Sequence, residues 1–377
     1  MIELSVFKQS LNKLADALDI SDSAYDKIET SYKSLGEWFC RDNSGIKEDK
    51  PEIYPQGSFK LGTAIKPITD EDDYDIDLVC QLNSPKITIA TISQKDLKEK
   101  IGKEIALYAE SQKMRTTPEE KKRCWRLSYA DPKYHLDALP ALSNPTACSS
   151  STCISITNNT KSNYKRIHPD WESSDPKGYA EWFKKRMEVR FNEIRSRMAD
   201  DARATVEDIP EHRVKTPLQR GIQILKRHRD IMFKDDSDNK PISIIITTLA
   251  GLAYNNEADL YDALNSIVNG MERHITKKDG VDWVANPVHQ EENFADKWSK
   301  NKTLRDNFYT WLSAAKEVFS KMKRSETYDE VASVMKSAFG GVVADKVASY
   351  FPQSPTVKSA PLVIESNSSH KPQPWRK

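Results

Sequence analysis

Between Tyr54 and Cys80 the chain reads YPQGSFKLGTAIKPITDEDDYDIDLVC, with six aspartates or glutamates inside eight residues. Acidic clusters are ordinarily solvated loop, so what matters is which carboxylates share a face. Asp70 with Asp72, Asp73 with Asp75 and Asp75 with Asp77 are all Asp-x-Asp pairs, and on a strand any i, i+2 pair lies on one side. In YDIDLV, Ile76 and Leu78 can face a core while Asp75 and Asp77 share the opposite face. Residues 69–73 lack that alternation and read as loop. Two carboxylates side by side on a strand repel each other unless a cation sits between them. Magnesium suits the position, because it takes oxygen ligands and completes its shell with waters and substrate phosphates. KYHLDALPAL adds Asp137, with Leu136 and Ala138 turned to the other face. Alone it would be an ordinary polar residue of an edge strand; as a third carboxylate it would help to bind a second ion.

Upstream, Gly57-Ser58 has a bland reading, a turn after a strand, and a functional one, a phosphate cradle. Glycine lets backbone approach a phosphate closely, and the serine hydroxyl with the following backbone N–H groups can donate hydrogen bonds to it. The pair is weak by itself. A Gly-Ser pair, a strand with Asp-x-Asp, then a third strand aspartate, in that order, is a strong signal.

These residues need elements to hold them. Phe7, Leu11, Leu14 and Leu18 form one helical stripe, and Tyr25, Ile28, Tyr32, Leu35 and Phe39 a second. EIY, YDIDLVCQL, RCWRLSYA and YHLDALPAL read as strands, the last two joined by a turn at Asp131-Pro132. Ser93 is placed to cap a helix carrying Leu97, Ile101, Ile105 and Tyr108. Residues 145–175, rich in Ser, Thr and Asn, read as loop. Beyond them the pattern is almost wholly helical: Asp175 caps a helix with Pro176 at its first position. Thr216 with Gln219 makes a capping box, and PISIIITTLAGLAY is apolar nearly all round, as in a buried central helix. The expectation is an α+β protein: a core of small mixed sheet and helices over residues 1–175, an all-helical lobe over 176–353, an extended tail over 354–377, and a site in the cleft between the lobes.

Lysine plus arginine number 57 and aspartate plus glutamate 56, a formal net charge of +1. That balance removes the electrostatic case for a dedicated DNA or RNA coat, though a local basic groove is still compatible with it. No apolar run is long enough to span a bilayer, and the amphipathic N-terminus lacks the apolar segment of a signal peptide; a cytoplasmic protein with no membrane partner is expected. Five cysteines, Cys40, Cys80, Cys124, Cys148 and Cys153, read as free thiols in a reducing compartment. Cys148, Cys153 and His168 match no zinc spacing and lack a fourth ligand.

The order QGSF, YDIDL, YHLDALP resembles the Pol-β-like nucleotidyltransferase superfamily. WESSDPKGYAEWF, ILKRHRD and PISIIITTLAG look like the helical lobe of its bacterial cGAS/DncV-like members, the CD-NTases of CBASS anti-phage defence, whose second lobe is similar to that of oligoadenylate synthases. The likeness runs from about Gln56 to the middle of the helical lobe. It implies a synthase that joins NTPs, ATP and/or another, into a cyclic di- or trinucleotide by Mg2+-dependent transfer on two ions, with Mn2+ as a substitute. It implies Asp75, Asp77 and Asp137 as catalytic metal ligands. Gln56, Gly57, Ser58, Arg126, Lys226 and Ser243 match the positions that contact nucleotide. Taken alone, Lys226 is a solvated helix lysine and Ser243 a helix cap; only the family pattern gives them substrate. An effector reached solely through the product, and a regulatory protein at the C-terminal tail, are the implied partners. The sequence has no counterpart of the animal DNA sensor's zinc thumb, so no DNA activator is expected. Rival readings are a non-cyclising, oligoadenylate-synthase-like transferase and a non-catalytic nucleotide-binding protein.

Overall fold

The computed structural model describes residues 4–69, 73–130, 133–148 and 150–350. Asp70 and Asp72, the Asp131-Pro132 turn and the 354–377 tail therefore lie outside the described residues.

The chain opens with α1 (Leu4–Leu18) and α2 (Asp22–Cys40), then β1 (Pro51–Pro55), the one-turn α3 (Gly57–Lys60), β2 (Tyr74–Leu82) and α4 (Gln94–Ser111). Five further strands follow: β3 (Glu119–Glu120), β4 (Trp125–Ala130), β5 (Lys133–Ser143), β6 (Ile154–Ile156) and β7 (Glu172–Ser174). They make one mixed sheet in the order β1-β2-β5-β4-β3, with β6 and β7 added along the end of β5. Ile76, Leu78, Leu136 and Ala138 are buried with Ile28, Leu35 and Phe39 of α2 and Leu97, Ile101 and Ile105 of α4. Each such leucine, isoleucine or phenylalanine contributes roughly 1.5–3 kcal/mol on leaving water. A one-residue slip of β2 or β5 would exchange those apolar residues for aspartates, so burial on one face fixes the acidic set on the other.

The second large core is helical. It is built from α5 (Pro176–Ala202), α6 (Pro217–Met232), α7 (Ser243–Ala253), α8 (Leu260–Gly270), α9 (Lys302–Arg324), α10 (Tyr328–Phe339) and α11 (Gly341–Ala348). The caps form as the sequence indicates. The Ser93 hydroxyl accepts from the Asp96 N–H, Asp175 from Gly178, and Thr216 with Gln219 closes the capping box. In α7, residues 245–251 are all buried.

Four expectations change. Residues 145–175, read as loop, contain β6 and β7, which extend the sheet beside β5, because three-residue strands among Ser, Thr and Asn leave no alternation to read. The α1 stripe of Phe7, Leu11, Leu14 and Leu18 packs with Leu218, Ile222 and Leu264 in the helical core, not on the sheet; an amphipathic stripe specifies burial without specifying against what. The second lobe is not wholly helical, since β8 (Thr276–Lys278) pairs with β9 (Val281–Trp283) and β10 (Ala285–Asn286) with β11 (His289–Asn293). Strands of two to five residues, largely unburied and carrying Lys277, Lys278, Glu291 and Glu292, leave no alternating pattern to read. Finally, Cys148 and Cys153 are not free thiols. They form a disulfide across a tight turn in which the Cys153 N–H donates to the Ser150 carbonyl. Cys40, Cys80 and Cys124 are free. Among the described residues no helix is long and apolar enough to cross a membrane.

Candidate active site

The parallel register of β2 and β5 sets Asp75 opposite His135 and Asp77 opposite Asp137. On the other side of β5, antiparallel β4 sets Arg126 opposite Asp137. Paired positions point to the same face, and adjacent strands lie about 4.8 Å apart. Backbone pairing alone thus makes these side chains neighbours. Asp75, His135 and Asp137 each offer a ligand atom, and the three atoms lie within 4.8 Å of one another. Asp137 is thus close to Asp75, while Asp77 is its registered neighbour across the strands.

The Gly57 turn closes on this face. Gly57 has φ +60, and a Cβ there would meet the Asp77 carboxylate oxygen at 2.6 Å. Both the backbone conformation and the close approach require glycine. The Gln56 N–H donates to the Asp77 carbonyl at 2.9 Å, and the Ser58 carbonyl accepts from Thr63 and Ala64. Because α3 is a single turn, any grip on phosphate rests on the Ser58 hydroxyl and local N–H groups, not on a helix dipole.

Electrostatics separate the acids. Burial first, then the charges of Asp75 and Asp137, push the Asp77 carboxyl up to about 7. Asp75 is held below the usual range by His135, whose Nε2 lies 2.9 Å away, with Arg126 adding to the effect. Arg126 donates from Nε and Nη2 to the two Asp137 oxygens at 2.7 Å each, which raises its own pKa. Asp77 is the acid whose charged form burial and its acidic neighbours disfavour. The donor set fits a divalent cation.

Opposite the sheet stands α6. Its polar side chains fall at helical steps and donate to the backbone that follows the Gly-Ser turn. Gln219 Nε2 bonds the Leu61 carbonyl, Gln223 Nε2 that of Ala64, and Lys226 Nζ that of Thr63; Arg227 reaches Lys66 and Pro67. This ladder pins the turn to the helical lobe. Lys226 is 5% exposed, and burial, then the nearby Arg229, pulls it down to about 7. Ser243 opens α7 without capping it, since Ile242 is the cap residue. Its Oγ instead accepts from Arg229 at 2.8 Å.

Gly57, Ser58, Asp75, Asp77, Lys226 and Ser243 line one cleft of about 660 Å³ between the sheet and helices α6 and α7. Gln56, Arg126 and Asp137 do not line it. Gln56 braces β2 through its backbone, and Arg126 covers Asp137 from β4. A larger hollow of about 1100 Å³ between α2 and α5 contains none of these residues, so chemistry and not size marks the site. Sequence reasoning missed His135, although the alternation that picked out Asp137 places residue 135 on the same face. It also missed Arg229, which nothing short of the fold could bring to Ser243.

Residues 51–140 match the family described as cyclic GMP-AMP synthase DncV-like, nucleotidyltransferase domain. That stretch of the sheet is thus similar to a DncV-like nucleotidyltransferase domain. The matched span runs from β1 into β5 and holds every sheet-side residue named above. Over 338 residues the chain is 28% identical to a c-di-GMP synthase of Roseivirga ehrenbergii, covering 88% of this chain and 84% of that one. It is 22% identical over 358 residues to the cyclic dinucleotide synthase CdnG of Bradyrhizobium diazoefficiens, covering 91% and 82%. The solved structure of the CD-NTase CdnG from that bacterium in complex with GTP superimposes with a TM-score of 0.72 at 18% identity, over 92% of this chain and 99% of that one. The fold shared with that CD-NTase structure therefore extends through the helical lobe as well as the mixed sheet.

Proposed function

We propose that the protein is a cyclic dinucleotide synthase that takes GTP among its NTP substrates. The observation that carries this is the strand register that brings Asp75, Asp77 and Asp137 to one face of the sheet, with Asp75 and Asp77 lining one cleft together with Lys226 and Ser243. The relatives named as cyclic dinucleotide synthases span most of the chain, and a CD-NTase of the same fold was solved with GTP, which supports the substrate class.

In this reading Asp75, Asp77 and Asp137 hold two Mg2+ ions, which would supply charge neutralisation at the triphosphate and a lowered pKa at the acceptor hydroxyl. Ser58, Lys226 and Ser243 hold the donor triphosphate so that its α-phosphorus faces the acceptor oxygen. The new O–P bond forms in line with the breaking bond to pyrophosphate, and the hydroxyl proton leaves to solvent. Lys226, whose pKa burial lowers to about 7, is favoured in its ammonium form beside the polyanion, because a neighbouring negative charge stabilises it. Arg126 orients Asp137 and adds positive charge near the donor, and Gln56 steadies the strand end. Repeating the transfer on the linear intermediate closes the ring. We place the protein in the cytoplasm, in anti-phage signalling, acting on an effector through its product alone.

Incubation with all four NTPs and Mg2+, then phosphatase and mass spectrometry, tests the reading. A guanine-containing cyclic product that survives phosphatase is expected. A phosphatase-sensitive linear ladder would favour an oligoadenylate-synthase-like enzyme, and no turnover of any NTP would overturn the proposal.

A further inference from the structure

Resting on that reading, we infer that His135 is a nitrogen ligand of the metal centre and tilts it from Mg2+ toward first-row transition cations such as Mn2+. The three aspartates alone make an all-oxygen site, the donor set that Mg2+ prefers. His135 alters that set. It is the registered neighbour of Asp75 across the parallel pair and lies two residues before Asp137 on β5, so its ring is on the acidic face. One of its ring nitrogens belongs to the group whose ligand atoms lie within 4.8 Å of one another, together with Asp75 and Asp137.

The contact geometry points the same way. Nε2 is buried, and among the described residues it makes no hydrogen bond of good geometry, although Asp75 Oδ1 is only 2.9 Å distant. The carboxylate oxygen is at ion-pair distance, yet Nε2 has no hydrogen-bond partner among the described residues. An imidazole whose role was to bind Asp75 would be expected to aim at it. On its other side Nδ1 is 3.8 Å from Asp73 Oδ2, too long for a hydrogen bond to fix the ring. Asp137 remains able to ligate: Arg126 takes one lone pair on each of its oxygens, and a carboxylate has about four. Arg126 then acts as the partner that orients a ligand, the usual arrangement around metal sites. Imidazole is a poor donor for Mg2+ and an accepted one for transition cations.

Pulsed electron paramagnetic resonance on the full chain with Mn2+ alone tests this without turnover. The wild type should show nitrogen hyperfine modulation from a directly bound imidazole. His135→Gln should lose it while still binding Mn2+, and its preference for Mn2+ over Mg2+, measured by competitive titration, should drop about tenfold. Mn2+ bound by the wild type without nitrogen modulation would overturn the assignment, as would modulation that persists in His135→Gln. If the variant does not fold, the wild-type spectrum decides alone. Failure of the wild type to bind Mn2+ at all would instead strike the nucleotidyl-transfer reading on which this rests.

Discussion

The two walls of the cleft are built on different principles. The sheet wall presents Asp75 and Asp77, backed by His135, Asp137 and Arg126, on three hydrogen-bonded strands, where backbone register sets every spacing. The helical wall carries Lys226, Arg229 and Ser243 on two helices, where positions depend on side chains reaching across the fold. Lys226 is placed by one hydrogen bond to Thr63 and Ser243 by one from Arg229. The sheet wall crowds negative charge at fixed distance, and the helical wall faces it with positive charge on adjustable arms. Groups that must stay within ångströms of one another belong on strands, while groups that adapt to a flexible triphosphate can sit on longer side chains.

The comparison predicts unequal sensitivities. Asp75→Asn with Asp77→Asn should lower product formation by at least about a thousandfold, with far-ultraviolet circular dichroism unchanged; residual synthesis near the wild-type rate would break the account of the sheet wall. Lys226→Met, which keeps the stem and removes the charge, should lower kcat/KM about ten- to a hundredfold, mostly through KM, as befits a lost charged hydrogen bond. A pure kcat effect would move Lys226 into the chemical step and erase the distinction.

The walls should also titrate in separate windows. Asp77 stands at about 7 in the folded chain, against roughly 4 for an ordinary carboxyl. The folded state holds that proton more tightly than the unfolded one. Its contribution is full in acid and is lost as pH rises from about 4 to about 7, by ~1–3 kcal/mol in metal-free protein. Lys226, depressed to about 7, acts above that range: the unfolded chain keeps the proton longer, so stability rises with pH until the free lysine titrates. Urea unfolding across pH should show the lower slope flattened by Asp77→Asn and the upper one by Lys226→Met. Slopes that survive both substitutions would remove the electrostatic basis of the contrast. The smallest effect is expected from Ser243→Ala, about two- to tenfold in KM, the value of one neutral hydrogen bond.

The same division explains what was legible in the sequence. YDIDLVCQL gives β2 residue for residue, and the period of two that buries Ile76 and Leu78 puts the aspartates together. The caps at Ser93, Asp175 and Thr216 are local chemistry and could be read directly. His135 is equally local, two residues before Asp137 on the same face of β5. The α6 ladder was beyond reach, since Gln219, Gln223 and Lys226 meet carbonyls about 160 residues away, and no spacing encodes that. The packing of α1 and the short hairpins of the second lobe were lost for the same reason, being settled by tertiary burial and not by periodicity.

The central claim is that the three carboxylates are tolerable together only with a cation among them. Thermal unfolding at pH 8, with and without Mn2+ or Mg2+, of the wild type and of Asp75→Asn with Asp77→Asn tests it most directly. The account predicts that metal raises the wild-type midpoint and leaves the double variant unmoved, and that without metal the variant is at least as stable as the wild type. Equal metal responses in the two proteins, or a metal-free variant that is clearly the weaker, would contradict it.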